Sequence, residues 1–343
     1  MLSNRIKDIP PSATLTINAK AKAMQAAGID VISLATGEPD FDTPEHIKEA
    51  AIKAIKDGFT KYTAVGGIPE LKEAVTNFIE REYGLCYSPE EVLITCGGKH
   101  ALYNLFQVII NPGDEVIIPS PFWVSYPPMV ILAGGKPVVV ETEEERDFKL
   151  TPEVLERYIT PWTRAIIINS PSNPTGSVYT KKELEELANV LIDKKIWIIS
   201  DDVYHKILLK DGLKWFSIAN IPEMKERTLI INAVSKTFSM TGWRIGFLIG
   251  NKEIIKAATR LQGQSTSNPT SIAQKAALAA LTGHQDFLKE WIKAFKERAR
   301  VLLSLLQKIP YIKCFEPQGA FYAFPNISAY FNKKIPDSTM MAE

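Results

Sequence analysis

The apolar positions of this chain fall into two alternating patterns. One is a short run rich in Val and Ile. It occurs at Val92–Cys96, Glu115–Pro119, Pro137–Val140, Ala165–Asn169, Ile196–Asp201, Thr228–Asn232 and Ile245–Ile249. Most of these runs lack polar alternation, which predicts strands covered on both faces, as in an α/β sheet. The other is a helical period between the runs. Thr43-Pro44-Glu45, Ser88-Pro89-Glu90 and Thr151-Pro152-Glu153 each offer a hydroxyl cap, a proline for the first turn and an acid at the positive helix end. Thr180-Lys181-Lys182-Glu183 is a capping box before a periodic segment. Asp286–Ile309 reads as one long amphipathic helix leading to a smaller unit, formed by the N-terminal segment and the residues after about 286. Beyond Pro310 the text becomes short strand and turn.

Composition narrows the function classes. The 343 residues suit about two domains, at roughly 150 residues each. Forty Lys and Arg balance 39 Asp and Glu, so the clustered cationic excess of a nucleic-acid binder is missing. No apolar run approaches the ~20 residues of a membrane helix, and the start, MLSNRIKDIPPS, has no signal-peptide core. Cys86, Cys96 and Cys314 form no CxxC and fit a reducing compartment, so a cytoplasmic protein is expected. His46, His100, His205 and His284 are scattered, without the HExxH spacing of a metal hydrolase, and no metal is expected. A dinucleotide site lacks its GxGxxG and a P-loop its GxxxxGK[ST].

Chemistry is sought where strands end, because open α/β sheets bind ligands beyond their carboxyl ends. Asn169, Asp201 and Asn232 end three of the runs. Lys236 follows one of them, with Arg244 eight residues on. A lysine amine of lowered pKa attacks carbonyl carbon, and an arginine grips phosphate, so the pair suits a phosphate-bearing aldehyde, pyridoxal phosphate (PLP). Alone, such a pair proves little, because most Lys/Arg pairs are surface cations of a loop. Asp201 is the acid that a PLP pyridine nitrogen needs, or a helix cap. Tyr204 and Asn173, the latter in SPSNPTG, can reach the cofactor's 3′ oxygen, or serve as core and turn. Gly97, Gly98 and Lys99 open a helix whose first N–H groups form an anion site. Trp123 in PSPFWVSY offers a flat face for a ring, or is core.

Taken in order, SPSNPTG, DDVYHKI and SKTFSMTGWRIG resemble the class I and II aminotransferases of PLP fold type I. LATGEPDFDTPEHI and KYTAVGGIPELKEAV extend the resemblance toward the N-terminus. PSAT, GGKHALYNLFQ and PFWVSYP make the chain similar to the bacterial aspartate aminotransferase branch. The resemblance implies an α/β fold with a mainly parallel seven-stranded sheet between helices in a large domain, residues 43–285. The smaller α/β domain would combine residues 1–42 with residues 286–343.

It further implies a transaminase moving an amino group between aspartate or glutamate and a 2-oxo acid through a Schiff base on Lys236. Asp201 would pair with the pyridine nitrogen, and Tyr204 and Asn173 with the 3′ oxygen. Arg244 and the Gly97–Gly98–Lys99 backbone would hold the phosphate, with Trp123 on the ring. Gly37 would offer its backbone to the substrate's α-carboxylate, and Lys99 would bind a distal carboxylate. Ser12 and Thr14 would lie on a segment folding over the substrate. Tyr62 would reach the phosphate in a neighbouring subunit, which implies a homodimer with shared active sites.

Two departures stand out. Ala233 takes a position, three before the lysine, where many members carry a hydroxyl against the phosphate, so a weaker phosphate contact is expected. No arginine follows Arg300, so the family's arginine for the α-carboxylate has no candidate, and the smaller domain is expected to be cut short. Three other readings stay open: a fold type I lyase or synthase, an aminotransferase accepting broad, aromatic or prephenate-like acids, and a shortened PLP-binding chain without turnover.

Overall fold

The structure is a computed structural model and describes residues 2–11 and 13–342. Seven strands form one sheet: β1 (Val92–Thr95), β2 (Glu115–Ser120), β3 (Lys136–Glu141), β4 (Thr163–Asn169), β5 (Trp197–Asp201), β6 (Thr228–Ala233) and β7 (Gly246–Ile249). Their spatial order is β1-β7-β6-β5-β4-β2-β3. β7 runs antiparallel to both its neighbours, and every other pair is parallel. β1 therefore points the same way as β6. The C-terminal ends of β1, β4, β5 and β6 share one rim of the sheet.

Alternate residues of each strand feed opposite layers, which explains the unbroken apolar runs. Val116, Ile118, Ala165, Ile167, Ile199, Leu229, Ile231 and Leu248 pack under helices Gly98–Ile109 and Lys252–Gly263. Ile117, Ile166, Ile168 and Ile198 face the other way, toward helix Lys181–Leu191. Ile230, Phe247 and Ile249 do likewise, toward helices Pro69–Tyr83 and Ser271–Thr282. β3 is the exception. It lies at the sheet edge, and Val139 is 42% exposed.

The helix-start signals were used in different ways. Thr180 and Glu183 close the expected box, Thr180 N–H donating to Glu183 Oε2 at 2.6 Å. Thr151 caps helix Pro152–Tyr158, accepting from Val154 N–H at 3.4 Å. Ser88 and Glu91 also form a box, but only one 3₁₀ turn follows, because the chain enters β1 at Val92. Thr43 does not cap. Helix Glu45–Lys56 starts from Pro44, and the Thr43 hydroxyl is spent on tertiary bonds. It donates to Ser239 O at 2.7 Å and accepts from Trp243 Nε1 at 3.0 Å. That ties the N-terminal segment to the loop after Lys236.

The long helix runs Phe287–Leu306. Phe41 stacks on its Trp291 at 4.7 Å, and Arg298 forks onto Asp40 at 2.7 and 3.0 Å. Beyond it, Lys313–Cys314 pairs with Pro325–Asn326, and Gly319 bridges Leu208. The turn carrying Gly319 to Tyr322 is thereby laid against the segment that leaves β5. Among the described residues, no helix is long and apolar enough to cross a membrane.

Candidate active site

A cavity of about 490 Å³ opens at the shared rim. Its lining includes Thr14, Gly37, Gly98, Lys99, Trp123, Asn173, Asp201, Tyr204, Lys236 and Arg244. Ten of the residues singled out in the sequence thus meet in one place. Gly97 lies one residue before this lining, with the Arg244 guanidinium packed where its Cβ would be. Tyr62 stands apart, 91% exposed and away from this cavity. Ser12 lies outside the described residues.

Lys236 sits in a one-turn helix, Val234–Thr237, directly after β6. Its ammonium is drawn into the cavity and donates to the Gly37 carbonyl. Burial disfavours the charged amine, Glu38 opposes that, Arg244 reinforces it and Asp201 opposes it again. The balance brings the amine down to about 8. A lysine so placed is partly neutral near physiological pH, as a nucleophile or proton shuttle must be.

Asp201 ends β5 and is buried. Tyr126 donates to its Oδ2 at 2.6 Å, and Asn169 Nδ2 donates to its backbone carbonyl at 2.8 Å. Oδ1 is buried with no partner. Burial therefore pushes the carboxyl up to about 6, held back by Tyr126, the Val203 N–H and Lys236. An acid left half-satisfied at the cavity wall suits a cationic N–H from a ligand. Asn169 also accepts from the Asn173 N–H at 2.8 Å, so one side chain fixes both the acid's strand and the Asn173 loop.

The opposite wall suits an anion. Gly97, at φ +89°, turns the chain from β1 into helix Gly98–Ile109 and leaves the helix's first N–H groups facing the cavity end. Arg244 holds a left-handed conformation, φ 56°, and donates to Thr241 O at 2.8 Å and Cys96 O at 3.4 Å. Its guanidinium thus stands over the glycine turn, where only a residue without Cβ leaves room. A Cβ on Gly246 would likewise strike the Gly97–Gly98 backbone. Arginine, helix start and glycines form a cradle for a phosphate. Together with the half-satisfied acid and the poised lysine, they fit PLP.

Trp123 packs edge-on to Tyr126 at 5.4 Å, and the Lys99 ammonium lies 4.9 Å from the Trp123 ring centroid. Burial, then Arg244, lowers the Lys99 pKa. A second anion between these two cations would relieve both. Ala233 lines the cavity, and Ser235 joins it one residue before the lysine.

Three participants escaped the sequence reading. Tyr126 stands three residues after Trp123 and ahead of a Pro-Pro pair, which reads as core. Ser235 sits in the one-turn helix Val234–Thr237, where nothing in its spacing sets it apart. Tyr322 lies in a turn whose place is set by long-range pairing. It meets Tyr204 hydroxyl to hydroxyl at 2.5 Å.

Behind the cavity lies a second acid. Asp202 is buried, accepts from Ser200 Oγ at 2.7 Å, and leaves Oδ2 unpartnered. Burial, Asp201 nearby, and only partial relief from Ser200 and Tyr83 push it up to about 8. A raised carboxyl stabilises the fold below its unfolded pKa, ~4, and that contribution is lost as pH rises through about 8. Asp202→Asn should therefore gain on the wild type by a few kcal/mol between about pH 5 and pH 9. Urea melts of the cofactor-free proteins at the two pH values measure this. A gap that is flat with pH counts against a buried, titrating Asp202.

Comparison with known proteins agrees with this geometry. The model of the family described as aminotransferase class I and II matches residues 29–342. An aspartate aminotransferase of Geobacillus stearothermophilus is 55% identical over 95% of this chain and 83% of its own length. A probable aspartate/prephenate aminotransferase of Rickettsia bellii is 50% identical, over 97% and 84%. Among solved structures, the Rhizobium meliloti aspartate aminotransferase superposes with a TM-score of 0.94 at 43% identity, covering 99% of this chain and 87% of that one. The Thermus thermophilus aspartate aminotransferase with maleate gives 0.92 at 43%, covering 100% and 93%.

Proposed function

The chain belongs to the class I and II aminotransferases, and on that premise we propose that it is a PLP-dependent transaminase of acidic amino acids. It moves the amino group of aspartate or glutamate to 2-oxoglutarate or oxaloacetate. The observation that carries the reading is the convergence of a poised lysine, a half-satisfied acid and a phosphate cradle in one cavity. PLP, when bound, supplies an electron sink that stabilises negative charge at the substrate's Cα.

The chain's own residues do the rest. Arg244, the Gly97–Gly98–Lys99 backbone and Ser235 hold the phosphate. Asp201, oriented by Tyr126, keeps the ring nitrogen protonated. Tyr204 and Asn173 hold the 3′ oxygen, and Trp123 covers a ring face. Lys236 would take the proton from the substrate's Cα and return one to the cofactor's aldehyde carbon, two atoms away across the nitrogen, as general base and then acid. Gly37 receives the substrate's α-carboxylate, Ser12 and Thr14 close over it, and Lys99 meets the distal carboxylate.

Several supports come from outside the cavity. The Geobacillus relative is named an aspartate aminotransferase, and the Thermus protein of that name was solved with maleate, a dicarboxylate. Exposed Tyr62 serves a partner's cavity in a homodimer, supported by its position on the surface. The working unit divides into a large domain, 43–285, and a smaller one built from both chain ends. The protein works in the cytoplasm, supported by three free cysteines.

The test is a coupled assay with a panel of amino acids and 2-oxoglutarate. Aspartate should give oxaloacetate and glutamate, with ping-pong kinetics. Ammonia or elimination products in place of glutamate would overturn the reading in favour of a lyase. Prephenate belongs on the acceptor panel, since the Rickettsia relative's name includes it. Lys99→Ala should lower kcat/KM for aspartate about 10- to 100-fold, by leaving the distal carboxylate unpaired, and change alanine turnover little. Equal losses on both substrates would place Lys99 on the phosphate instead.

A further inference from the structure

Tyr322 has no role in the reading above, yet it touches two parts of the site at once. Its hydroxyl lies 2.5 Å from the Tyr204 hydroxyl. Its ring occupies the space over Gly37, where any Cβ would collide with the Tyr322 hydroxyl and ring edge. Gly37 in turn takes the Lys236 ammonium on its carbonyl. The Lys236 amine also lies 6.0 Å from the Tyr204 ring centroid and 5.9 Å from that of Phe321, the residue before Tyr322. Tyr322 is held in place from outside the cavity. Ala320 N–H donates to Ile207 O at 2.9 Å, and Gln318 and Gly319 N–H both donate to Gly176 O at 2.9 Å. The turn is therefore pinned to both segments that carry Tyr204 and Asn173.

We propose that Tyr322 is a positioning residue for Tyr204: its hydroxyl donates to the Tyr204 oxygen and so aims and strengthens the Tyr204 hydroxyl as a donor into the cavity. The inference rests on the transaminase reading, in which Tyr204 serves the cofactor's 3′ oxygen. A phenol carries one proton. When Tyr204 spends its own on a ligand oxygen, its short contact with Tyr322 requires the Tyr322 hydroxyl to be the donor. Hydrogen bonds in series polarise one another, so a donor that also accepts is the stronger donor. The Tyr322 ring, packed on Gly37, has a second effect. It fixes the carbonyl that holds the lysine.

The direction of the bond makes the test signed. Tyr322→Phe keeps the ring on Gly37 and deletes the hydroxyl. Tyr204 then donates more weakly, and the lysine-bound cofactor is expected to keep its proton to higher pH. The midpoint of its absorbance titration should rise by about half a unit. kcat should fall roughly threefold to tenfold with KM for aspartate little changed. Tyr322→3-fluorotyrosine, introduced at that site alone, keeps shape and hydroxyl but makes a stronger donor. Its midpoint should shift down. The readout is the spectrum of the holoenzyme, recorded beside circular dichroism to confirm the fold.

A Tyr322→Phe midpoint superposed on the wild type, or a 3-fluorotyrosine shift in the same direction as that of phenylalanine, overturns the proposal. If Tyr322→Phe fails to fold, the 3-fluorotyrosine arm decides alone, by the sign of its shift. The two layers stay separable. Wild-type protein without the titrating chromophore and without amino transfer sinks the transaminase reading itself. Wild-type protein with both, beside an unshifted Tyr322→Phe, sinks only the role of Tyr322.

Discussion

Lys236→Ala is expected to lower kcat by about 10⁴-fold or more while leaving the fold intact. The size follows from two lost services, the covalent attachment point and the proton shuttle, both of which need an amine at this place. Stability should move the other way. In the folded, cofactor-free protein the amine sits near 8, below its ordinary 10.5, because burial disfavours its charge. That penalty is fully present below pH 8 and vanishes as pH rises toward 10.5. The alanine variant should thus be at least as stable as the wild type at pH 7, with a gain of up to about 3 kcal/mol before cavity costs. Thermal melts and steady-state assays on the same preparations separate the two effects. A dead variant that is also unfolded would leave catalysis and structure confounded, and an active one would remove Lys236 from the reaction.

Asp201→Asn ranks second, with an expected loss of about 10²- to 10³-fold in kcat/KM. Asparagine keeps the shape and still accepts from Tyr126, so the change is one of charge. Without a cation, the buried acid is pushed up to about 6. It therefore destabilises the cofactor-free protein as pH rises through that value, and the amide variant should melt no lower at pH 8. With a protonated ring nitrogen against Oδ1, the order reverses, and the wild type should hold the cofactor more tightly. Stability up without cofactor, affinity and rate down with it, is the signature of an acid kept for a cation. Slower turnover with unchanged cofactor affinity would place the cation elsewhere.

Much of this was legible in the sequence because local chemistry carried it. Val/Ile runs without polar alternation pointed to strands covered on two faces, and the alternation of Ile166 with Ile167 between opposite layers bears that out. Polar residues at the ends of three runs pointed to the rim; Asn169 and Asp201 line the cavity there, whereas Asn232 is buried and donates to the Tyr83 hydroxyl at 2.9 Å. The glycine pair before Lys99 implied the anion cradle, with Arg244 folded over it.

What escaped was set by distance in the chain. Thr43 looked like a helix cap, but its hydroxyl bonds Ser239, 196 residues away. Tyr322 reaches Tyr204 across 118 residues, through a turn pinned by backbone bonds to Gly176 and Ile207. Tyr126 meets Asp201 only because β2 and β5 lie either side of β4. No periodicity or motif spacing encodes such meetings, which depend on strand order.

The most direct test of the account is to reduce the PLP-loaded protein with borohydride, digest it and map the labelled peptide. One pyridoxyl group is expected, on the peptide carrying Lys236, in SKTFSMTGWR. The label on any other lysine, or no stable label at all, would contradict it.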